Sequence, residues 1–380
     1  MDALIYVLFL VAIGLGYAAG RWPIKFGKQR NVKSFTGGSI EKRYIDGLNQ
    51  LLNEQPDAAI DTFIEGLDVN DNTLETHFAL GALWRRRGEV DRAIRIHQNL
   101  MARPSLSNEH LEQAQLELAV DYTRSGLLDR AESLFSELSK SSNLTLKSTA
   151  LKYLLEVYEQ EQEWNQAIET AEALCFKKLK TDVPHWRYLQ AHYACESAQP
   201  LIDSGEIEKA RTWLKLAQSY DRQHPRVQLL FAKLDLSEAK ATNALRFLRH
   251  VSSREAYLIE VIPLIFKSYE LLGEPDSAHE YFAEIYQENP LPGLLPYLAE
   301  RIHLQDGSKA AVTFLLQELR GNPDKNDMVL LLDAQGPDAI DFEVVRPVLR
   351  EILGFTFHCK NCGFEGTHLY WSCPSCKAWL

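Results

Sequence analysis

The sequence predicts an all-α solenoid of repeated helical hairpins, with an N-terminal transmembrane helix and a small C-terminal four-cysteine metal knuckle. Three observations predict it: an uncharged apolar stretch at residues 3–20, alanines that recur about every 34 residues, and four cysteines between residues 359 and 376. With 46% hydrophobic and 24% charged residues, the chain can bury a core, and its 380 residues exceed a single small module.

Composition and motifs also exclude several classes of function. The formal net charge of −11 argues against a nucleic-acid binder, which needs a basic field to meet phosphates. The sequence contains no GxxxxGK[ST], HExxH or GxSxG motif, and no GxGxxG after a strand. We therefore predict no catalytic residues and no enzyme activity.

The first 20 residues are predicted to be a membrane anchor. Residues 3–20 carry no charge and as a helix would be about 27 Å long, enough to cross a bilayer. Only Asp2 precedes the stretch, and five cations follow it, so the positive-inside rule places the rest of the chain in the cytoplasm: Arg21, Lys25, Lys28, Arg30 and Lys33. A cleaved signal peptide is the alternative, because Ala18 to Gly20 are small. Residues 21–39 are predicted to form a basic juxtamembrane linker that lies against anionic lipid headgroups.

Residues 40–336 show an internal helical repeat. One alanine recurs at the same place in the second helix of each predicted hairpin: Ala59, Ala93, Ala131, Ala167, Ala210, Ala244, Ala278 and Ala311. Small residues stand twelve positions earlier in most copies, but Leu155 and Phe266 depart from this pattern. Four turns place a glycine at the helix end, where a positive φ is tolerated: Gly88, Gly126, Gly205 and Gly273. The segment resembles the tetratricopeptide repeat family, which stacks 34-residue hairpins into a superhelix.

The concave surface of such an array is predicted to bind an extended segment or a helix of a partner protein. In this register a mostly basic or aromatic set points toward the groove: Tyr44, Leu48, Phe78, Arg85, Arg86, Arg124, Lys152, Arg226, Lys233 and Lys267. An acidic or mixed peptide is the partner that this set favours. An ordinary solvated charged face is the alternative.

A connecting helix is predicted in residues 337–354, and a metal-binding domain in residues 355–380. The spacing C-x2-C-x10-C-x2-C allows Cys359, Cys362, Cys373 and Cys376 to converge on one tetrahedral site. Zinc and iron both accept four thiolates, so spacing leaves the metal open. So small a knuckle buries little surface alone. Its six aromatic residues are therefore predicted to dock it onto the last helical repeats: Phe355, Phe357, Phe364, Tyr370, Trp371 and Trp379.

Two motifs make the chain resemble one family, the lipopolysaccharide assembly protein B (LapB) family of Gram-negative bacteria. They are GEVDRAIRIHQ at residues 88–98, and CKNCGF at residues 359–364 followed by LYWSCPSCKAW at residues 369–379. The resemblance implies a non-catalytic inner-membrane adaptor with a rubredoxin-like metal domain.

The same resemblance implies a set of partners. They are the membrane AAA+ protease FtsH, the lipid A pathway deacetylase LpxC, lipopolysaccharide export proteins and a membrane-embedded lipopolysaccharide sensor, besides membrane lipid around the N-terminal helix. The oligomeric state is open, with a homodimer as one option. The alternatives are a repeat scaffold for another envelope pathway and a rubredoxin-type electron carrier.

Overall fold

The computed structural model describes residues 45–47, 49–50, 58–60, 62, 71–104, 106–175, 182–252, 255–319, 341–352, 357–366 and 368–380. In this part of the chain the secondary structure is helical apart from one two-stranded sheet near the C-terminus. The chain divides into two compact units, Met1–Ser125 and Gly126–Leu380. The prediction of a helical repeat protein with a small C-terminal knuckle is confirmed.

The first unit contains a helical hairpin and a third helix that packs against it. These helices are α1 (Asp71–Arg86), α2 (Val90–Met101) and α3 (Asn108–Arg124). Trp84 of α1 is buried with Ala93 and Ile96 of α2. The Ser107 side chain begins α3 by accepting a hydrogen bond from the His110 backbone N–H, which satisfies one of the free donors of the first turn.

Gly81 shows why the first helix of a hairpin carries a small residue at this position. A Cβ atom on Gly81 would lie 2.4 Å from Nε2 of the buried His97 on α2. No side chain fits that space without moving the imidazole. The small residue therefore sets how closely α1 and α2 approach each other.

The second unit is a longer series of helices that pack as neighbours along the chain. In order they are α4 (Leu128–Leu138), α5 (Leu144–Glu161), α6 (Trp164–Leu174), α7 (Val183–Asp203), α8 (Ile207–Tyr220), α9 (Pro225–Ser237), α10 (Ala241–Arg249), α11 (Leu258–Leu272), α12 (Ser277–Glu288), α13 (Leu295–Asp306), α14 (Ser308–Leu319) and α15 (Phe342–Ile352). The pairs α5/α6, α7/α8, α9/α10, α11/α12 and α13/α14 are helix–turn–helix hairpins. Each hairpin therefore corresponds to one repeat.

The buried alanines confirm the predicted register of the repeats. Every one of the eight recurring alanines is 0% exposed: Ala59, Ala93, Ala131, Ala167, Ala210, Ala244, Ala278 and Ala311. Because alanine is the smallest side chain that still favours a helix, it lets the two helices of a hairpin pack closely. The two departures are accommodated, since Leu155 is buried and Phe266 packs partly buried against the core of α9 to α12.

The turns between paired helices adopt left-handed backbone conformations. The four predicted glycines have φ between 76° and 81°: Gly88, Gly126, Gly205 and Gly273. Two hairpins make the same kind of turn without glycine, with Gln162 at φ 59° and Ala239 at φ 58°. A non-glycine residue pays a steric cost in this region, so sequence inspection for glycine misses these two turns.

Helix α15 lies within the predicted connecting segment and packs on the last hairpin of the array. Its Phe342 and Leu349 are buried in one cluster with Leu295 and Val312, and Arg346 pairs with Glu300 at 2.8 Å. None of the helices within the described ranges has the length and apolar character needed to cross a membrane. The predicted anchor at residues 1–20 and linker at residues 21–39 lie outside those ranges.

Candidate metal centre and its docking surface

The four cysteines of the C-terminal knuckle converge on one point. Their sulfur atoms all lie within 4.8 Å of one another. The Sγ atoms of Cys359 and Cys376 are 3.7 Å apart, and those of Cys362 and Cys373 are also 3.7 Å apart. The spacing of the cysteines in the sequence therefore translates into a four-sulfur cluster.

Two similar backbone turns carry the cysteine pairs. Strand β1 (Phe357–His358) pairs antiparallel with β2 (Glu365–Gly366), and between them the Gly363 N–H donates to the Cys359 carbonyl at 2.8 Å. In the second turn the Lys377 N–H donates to the Cys373 carbonyl at 2.9 Å. Gly363 and Lys377 occupy matching positions with φ of 75° and 60°. Gly363 completes a tight turn in a conformation that favours glycine, while Lys377 takes the same conformation without being glycine.

The cluster also favours the anionic form of one thiol. The Asn361 side-chain amide donates a hydrogen bond to Sγ of Cys376 over 3.4 Å. This donor, with the backbone N–H of Ala378, lowers the pKa of Cys376 to about 6. The Phe364 backbone N–H favours the anionic form of Cys362 too, but burial and the other three thiols outweigh it and raise the pKa of Cys362 to about 11. A thiolate is the form in which cysteine binds metals, so metal binding must release protons from this cluster.

The sulfur positions fit a tetrahedral metal ion. A four-coordinate centre with metal–sulfur bonds of about 2.3 Å has sulfur–sulfur edges of about 3.8 Å. Two of the observed edges are 3.7 Å. The donor set is four thiolates, which both zinc and iron accept, so the geometry leaves the choice between them open.

The aromatic residues of the knuckle divide into two groups. Phe357, Phe364 and Tyr370 pack against one another inside it, with ring centroids 5.4 Å apart for Phe357 and Tyr370 and 5.7 Å apart for Phe364 and Tyr370. Trp371 and Trp379 instead contact the helical repeats. Phe355 lies outside the described residues. Half of the aromatic set is therefore the knuckle's own core and not a docking surface.

Trp379 joins the knuckle to α5 and α7. Its Nε1–H donates to Oε1 of Glu159 at 2.9 Å, and the Tyr193 hydroxyl donates to the same oxygen at 2.5 Å. The Tyr188 hydroxyl donates to the backbone oxygen of Leu380. Burial raises the pKa of Glu159, although the hydrogen bonds from Tyr193 and Trp379 favour its charged form.

Trp371 makes a second contact with the repeats. Its ring stacks on Tyr257, just before α11, with centroids 5.6 Å apart and planes 20° apart. The guanidinium of Arg226 on α9 lies over the same indole at 5.6 Å, and Oε1 of Glu196 accepts a 2.7 Å hydrogen bond from Arg226. A cation over an aromatic face is attracted by the ring's quadrupole.

The docking position corrects one expectation. Docking of the knuckle by aromatic side chains is confirmed, but the last repeats do not provide the contacts of Trp371 and Trp379 described above. Those contacts come from α5, α7, α9 and Tyr257, in the middle of the array. The physical reason is that Glu159, Arg226 and Tyr257 provide the acceptor, the cation and the flat face that two tryptophans require.

Comparisons with known proteins agree with this architecture. A family model described as "Rubredoxin metal binding domain" (Zn_ribbon_LapB) matches residues 357–379. The lipopolysaccharide assembly protein B of Escherichia coli K12 is 32% identical over 388 residues, which span 100% of this chain and 97% of that protein. The chain belongs to the lipopolysaccharide assembly protein B family. The Haemophilus influenzae member is 30% identical over 396 residues, again spanning 100% of this chain and 97% of that protein.

Solved repeat structures are more distant from this LapB family member. A tetratricopeptide repeat protein from Parabacteroides merdae is 15% identical, with a TM-score of 0.34 over 69% of this chain and 98% of that one. The Pseudomonas aeruginosa protein PilF is 14% identical, with a TM-score of 0.30 over 58% of this chain and 93% of that one. These scores are low, and the repeat assignment rests on the hairpins of the chain itself.

The predicted groove residues fall into three environments. Arg85 and Lys233 are in ion pairs with acidic residues of a neighbouring helix, and Arg226 is buried beneath Trp371 and paired with Glu196. Phe78 is half-buried against Leu74 and Leu100. Four cations are exposed: Arg86, Arg124, Lys152 and Lys267. Tyr44 and Leu48 lie outside the described residues, and binding of a partner by this set stays a prediction.

Sequence reasoning missed the polar residues that receive the knuckle. Glu159, His192 and His224 are buried or nearly so, and the His192 ring lies 4.8 Å from Trp379 and 4.2 Å from His224. A weak signal was present for His192 alone, because its helical neighbours Leu189 and Cys195 are apolar, whereas Glu159 has Glu156 and Glu163 as neighbours. Their partner Trp379 is 220 residues from Glu159, and a repeat pattern says nothing about contacts at that separation.

The Glu159–Trp379 contact is expected to couple the knuckle energetically to the array. Trp379→Ala removes a half-buried indole, and we expect it to lower the free energy of unfolding by about 2–3 kcal/mol. Glu159→Ala leaves the Tyr193 hydroxyl and the Trp379 N–H without their acceptor, at about 1–3 kcal/mol. The double variant is expected to cost less than the sum, with a coupling of about 1 kcal/mol or more measured by urea unfolding.

Glu169→Ala is the matched control, since Glu169 is an exposed carboxylate on α6. We expect it to change stability by less than about 0.5 kcal/mol. Strict additivity of Glu159→Ala and Trp379→Ala would show that the two side chains do not meet in solution.

The two buried histidines are expected to make the second unit sensitive to mild acid. Burial and then Arg226 lower the pKa of His224 to about 3, and burial, His224 and Arg226 place the pKa of His192 well below its ordinary 6.5. Below about pH 6.5 these two histidines become protonated in the unfolded chain but stay neutral in the folded chain. Each histidine therefore lowers the unfolding free energy by about 1.4 kcal/mol per pH unit as the pH falls.

The measurement is urea unfolding between pH 7.5 and pH 5, with His224→Gln as the comparison. In the variant, the unfolding free energy should fall less steeply with falling pH, by about 1.4 kcal/mol per pH unit, which is the contribution of one histidine. Glu159 acts in the opposite direction, because its pKa is raised, and it is unchanged in both proteins. Equal slopes for the two proteins would contradict a neutral His224.

Proposed function

We propose that this chain is a non-catalytic inner-membrane adaptor that limits lipopolysaccharide synthesis by presenting the deacetylase LpxC to the protease FtsH, and that it coordinates synthesis with export. The single observation that carries the proposal is the similarity to lipopolysaccharide assembly proteins over the full chain, 97% of the Escherichia coli protein included. A series of helical hairpins supports an adaptor role, because such arrays offer extended surfaces for other proteins.

The proposal includes one metal ion, iron or zinc, held by Cys359, Cys362, Cys373 and Cys376. The cluster of sulfur atoms supports this ligand set. When bound, the ion would supply a structural crosslink between the two turns of the knuckle. The chain's own residues hold the docked position: Glu159 accepts from Trp379, and Tyr257 and Arg226 cover Trp371.

We also propose a single anchor at residues 1–20, with the N-terminus in the periplasm and the repeats and knuckle in the cytoplasm. The five cations between Arg21 and Lys33 support this topology. A tether of this kind raises the local concentration of the array near membrane partners, so weak contacts to two proteins can act together. A reporter fused after Leu380 should behave as cytoplasmic, and its export would contradict the topology.

The experiment that tests the adaptor function is depletion of this protein in its own host. The level of the deacetylase is followed by immunoblot in cells with and without the membrane protease. We expect the deacetylase to rise on depletion, and to show no further rise where the protease is already missing. A deacetylase level that does not respond to depletion would contradict the proposal and leave a scaffold for another envelope pathway.

A further inference from the structure

A cationic cavity of about 270 Å³ opens at one end of helices α8, α9 and α10, on a different set of residues from the docking surface of the knuckle. Two arginines and a histidine contribute to its lining: Arg222, Arg246 and His250. Three glutamines and one aromatic ring complete it: Gln218, Gln223, Gln228 and Phe247. No carboxylate lines the cavity within the part of the chain that the structure describes, although the protein as a whole has a net charge of −11.

The two guanidinium groups are available to a ligand. Arg222 and Arg246 are exposed, and neither forms an ion pair with any described residue. Arg211 and Arg226 on the same helices behave differently: Arg211 pairs with Asp235 at 3.1 Å, and Arg226 pairs with Glu196 at 2.7 Å. Arg249 on α10 has no carboxylate partner either, but its guanidinium lies over the Tyr281 ring at 5.8 Å. Among the described arginines from α8 to α10, only the two of the cavity have neither kind of partner.

Residues that line the cavity are held in place by hydrogen bonds and by aromatic stacking. Gln228 is only 5% exposed, and its Nε2 donates to the Arg222 carbonyl at 2.7 Å. The Gln223 backbone N–H donates to Oδ1 of Asp221 at 3.0 Å, which engages the nearest carboxylate in sequence. Phe247 stacks on Phe231 with ring centroids 5.0 Å apart. The loop that carries Arg222 and the aromatic wall are thus fixed before any ligand binds.

We propose that this cavity binds a phosphorylated, hydroxyl-bearing small molecule of the sugar phosphate class, with its phosphate between Arg222 and Arg246. Guanidinium groups match phosphate oxygens with paired hydrogen bonds. The glutamine amides both donate and accept, as hydroxyl groups require, and Phe247 offers a flat apolar face to a ring. The volume of about 270 Å³ lies slightly below the range of about 300–1,000 Å³ for ligand sites, which suits a small ligand. This inference goes beyond the adaptor function and does not depend on it.

A purely structural reason for the cations is the alternative that the experiment must exclude. Arg246 lies in the last turn of α10 and His250 follows it as the C-cap, where positive charge stabilises the helix dipole. Arg222 lies just after the C-terminal end of α8. The dipole does not require three glutamines and an aromatic wall around these cations, whereas a polar ligand does.

The test is isothermal titration calorimetry of the full chain in detergent micelles with three probes: glucose 6-phosphate, inorganic phosphate and glucose. We expect glucose 6-phosphate to bind more tightly than inorganic phosphate, and glucose not to bind. Arg222→Gln and Arg246→Gln should each weaken binding of glucose 6-phosphate about ten- to a hundredfold, because each removes a charge-assisted contact. Lys215→Gln is the matched control, since it removes one exposed cation from α8 outside the cavity.

Three results would overturn the proposal. The first is that neither soluble phosphate binds the unchanged protein. The second is that Lys215→Gln weakens binding as much as the arginine variants, which would indicate a diffuse charge effect. The third is that vesicles containing phosphatidic acid bind through Arg222 and Arg246 while soluble phosphates do not, which would make this face a contact for a membrane surface.

Discussion

Cys359→Ser is expected to abolish metal binding and to destabilise the second unit by at least about 3 kcal/mol. A serine hydroxyl does not replace a thiolate in a four-sulfur site, and three ligands leave the ion exposed. The knuckle has little core of its own, built mainly from Phe357, Cys359 and Cys373. Without the metal crosslink its two turns separate, so the tryptophans leave the repeats. Metal content by mass spectrometry and thermal unfolding by circular dichroism measure the two effects.

Cys175→Ser is the control, because Cys175 is a half-buried thiol at the end of α6 and outside the cluster. We expect full metal content and a change of less than about 1 kcal/mol. Metal retained at one ion per chain in Cys359→Ser would show that the ligand set is wrong. Loss of metal with unchanged melting would instead show that the knuckle is an appendage that adds no stability to the repeats. The same preparation distinguishes iron from zinc, since an iron centre with four thiolates absorbs visible light.

The outcome for the cysteines shows which part of this molecule the sequence could predict. Contacts that repeat at a fixed short spacing were recoverable: the eight alanines gave the hairpin register, and the paired cysteines gave the sulfur cluster. Both patterns are local, because a hairpin or a C-x2-C turn brings its own residues together. Glycine likewise marked four of the left-handed turns.

What the sequence could not predict depends on contacts between distant segments or on strain. The pairing of Glu159 with Trp379 joins residues 220 positions apart, and no spacing rule connects them. Gln162 and Ala239 adopt left-handed conformations that their residue types disfavour, so the packing of α5 against α6 and of α9 against α10 imposes them. The contacts of Trp371 and Trp379 with the middle helices are of this kind, so the sequence pattern could not predict them.

Asp121→Ala is expected to be the most damaging single change in the first unit, at about 3–5 kcal/mol. The Asp121 side chain is 0% exposed on α3. Its Oδ1 accepts from Arg85 at 2.7 Å and its Oδ2 lies 2.5 Å from Nδ1 of the buried His97. Burial alone would lower the pKa of Arg85, but hydrogen bonds to Glu117 and Asp121 raise it. Removal of this one carboxylate leaves Nδ1 of the buried His97 without its partner and takes from Arg85 one of its two carboxylates.

Glu117→Ala is the comparison that isolates burial, because Glu117 accepts from the same guanidinium at the same 2.7 Å but is 21% exposed. Water reaches this carboxylate and screens its charge, so we expect a loss of about 0–1 kcal/mol. Urea unfolding followed by circular dichroism measures both variants. Equal losses of unfolding free energy would mean that the distance to Arg85 alone sets the contribution of each carboxylate. The burial of Asp121 would then add nothing to stability. A large difference would mean that α1, α2 and α3 are held in register by a buried charge, and that Arg85 serves this network before any partner protein.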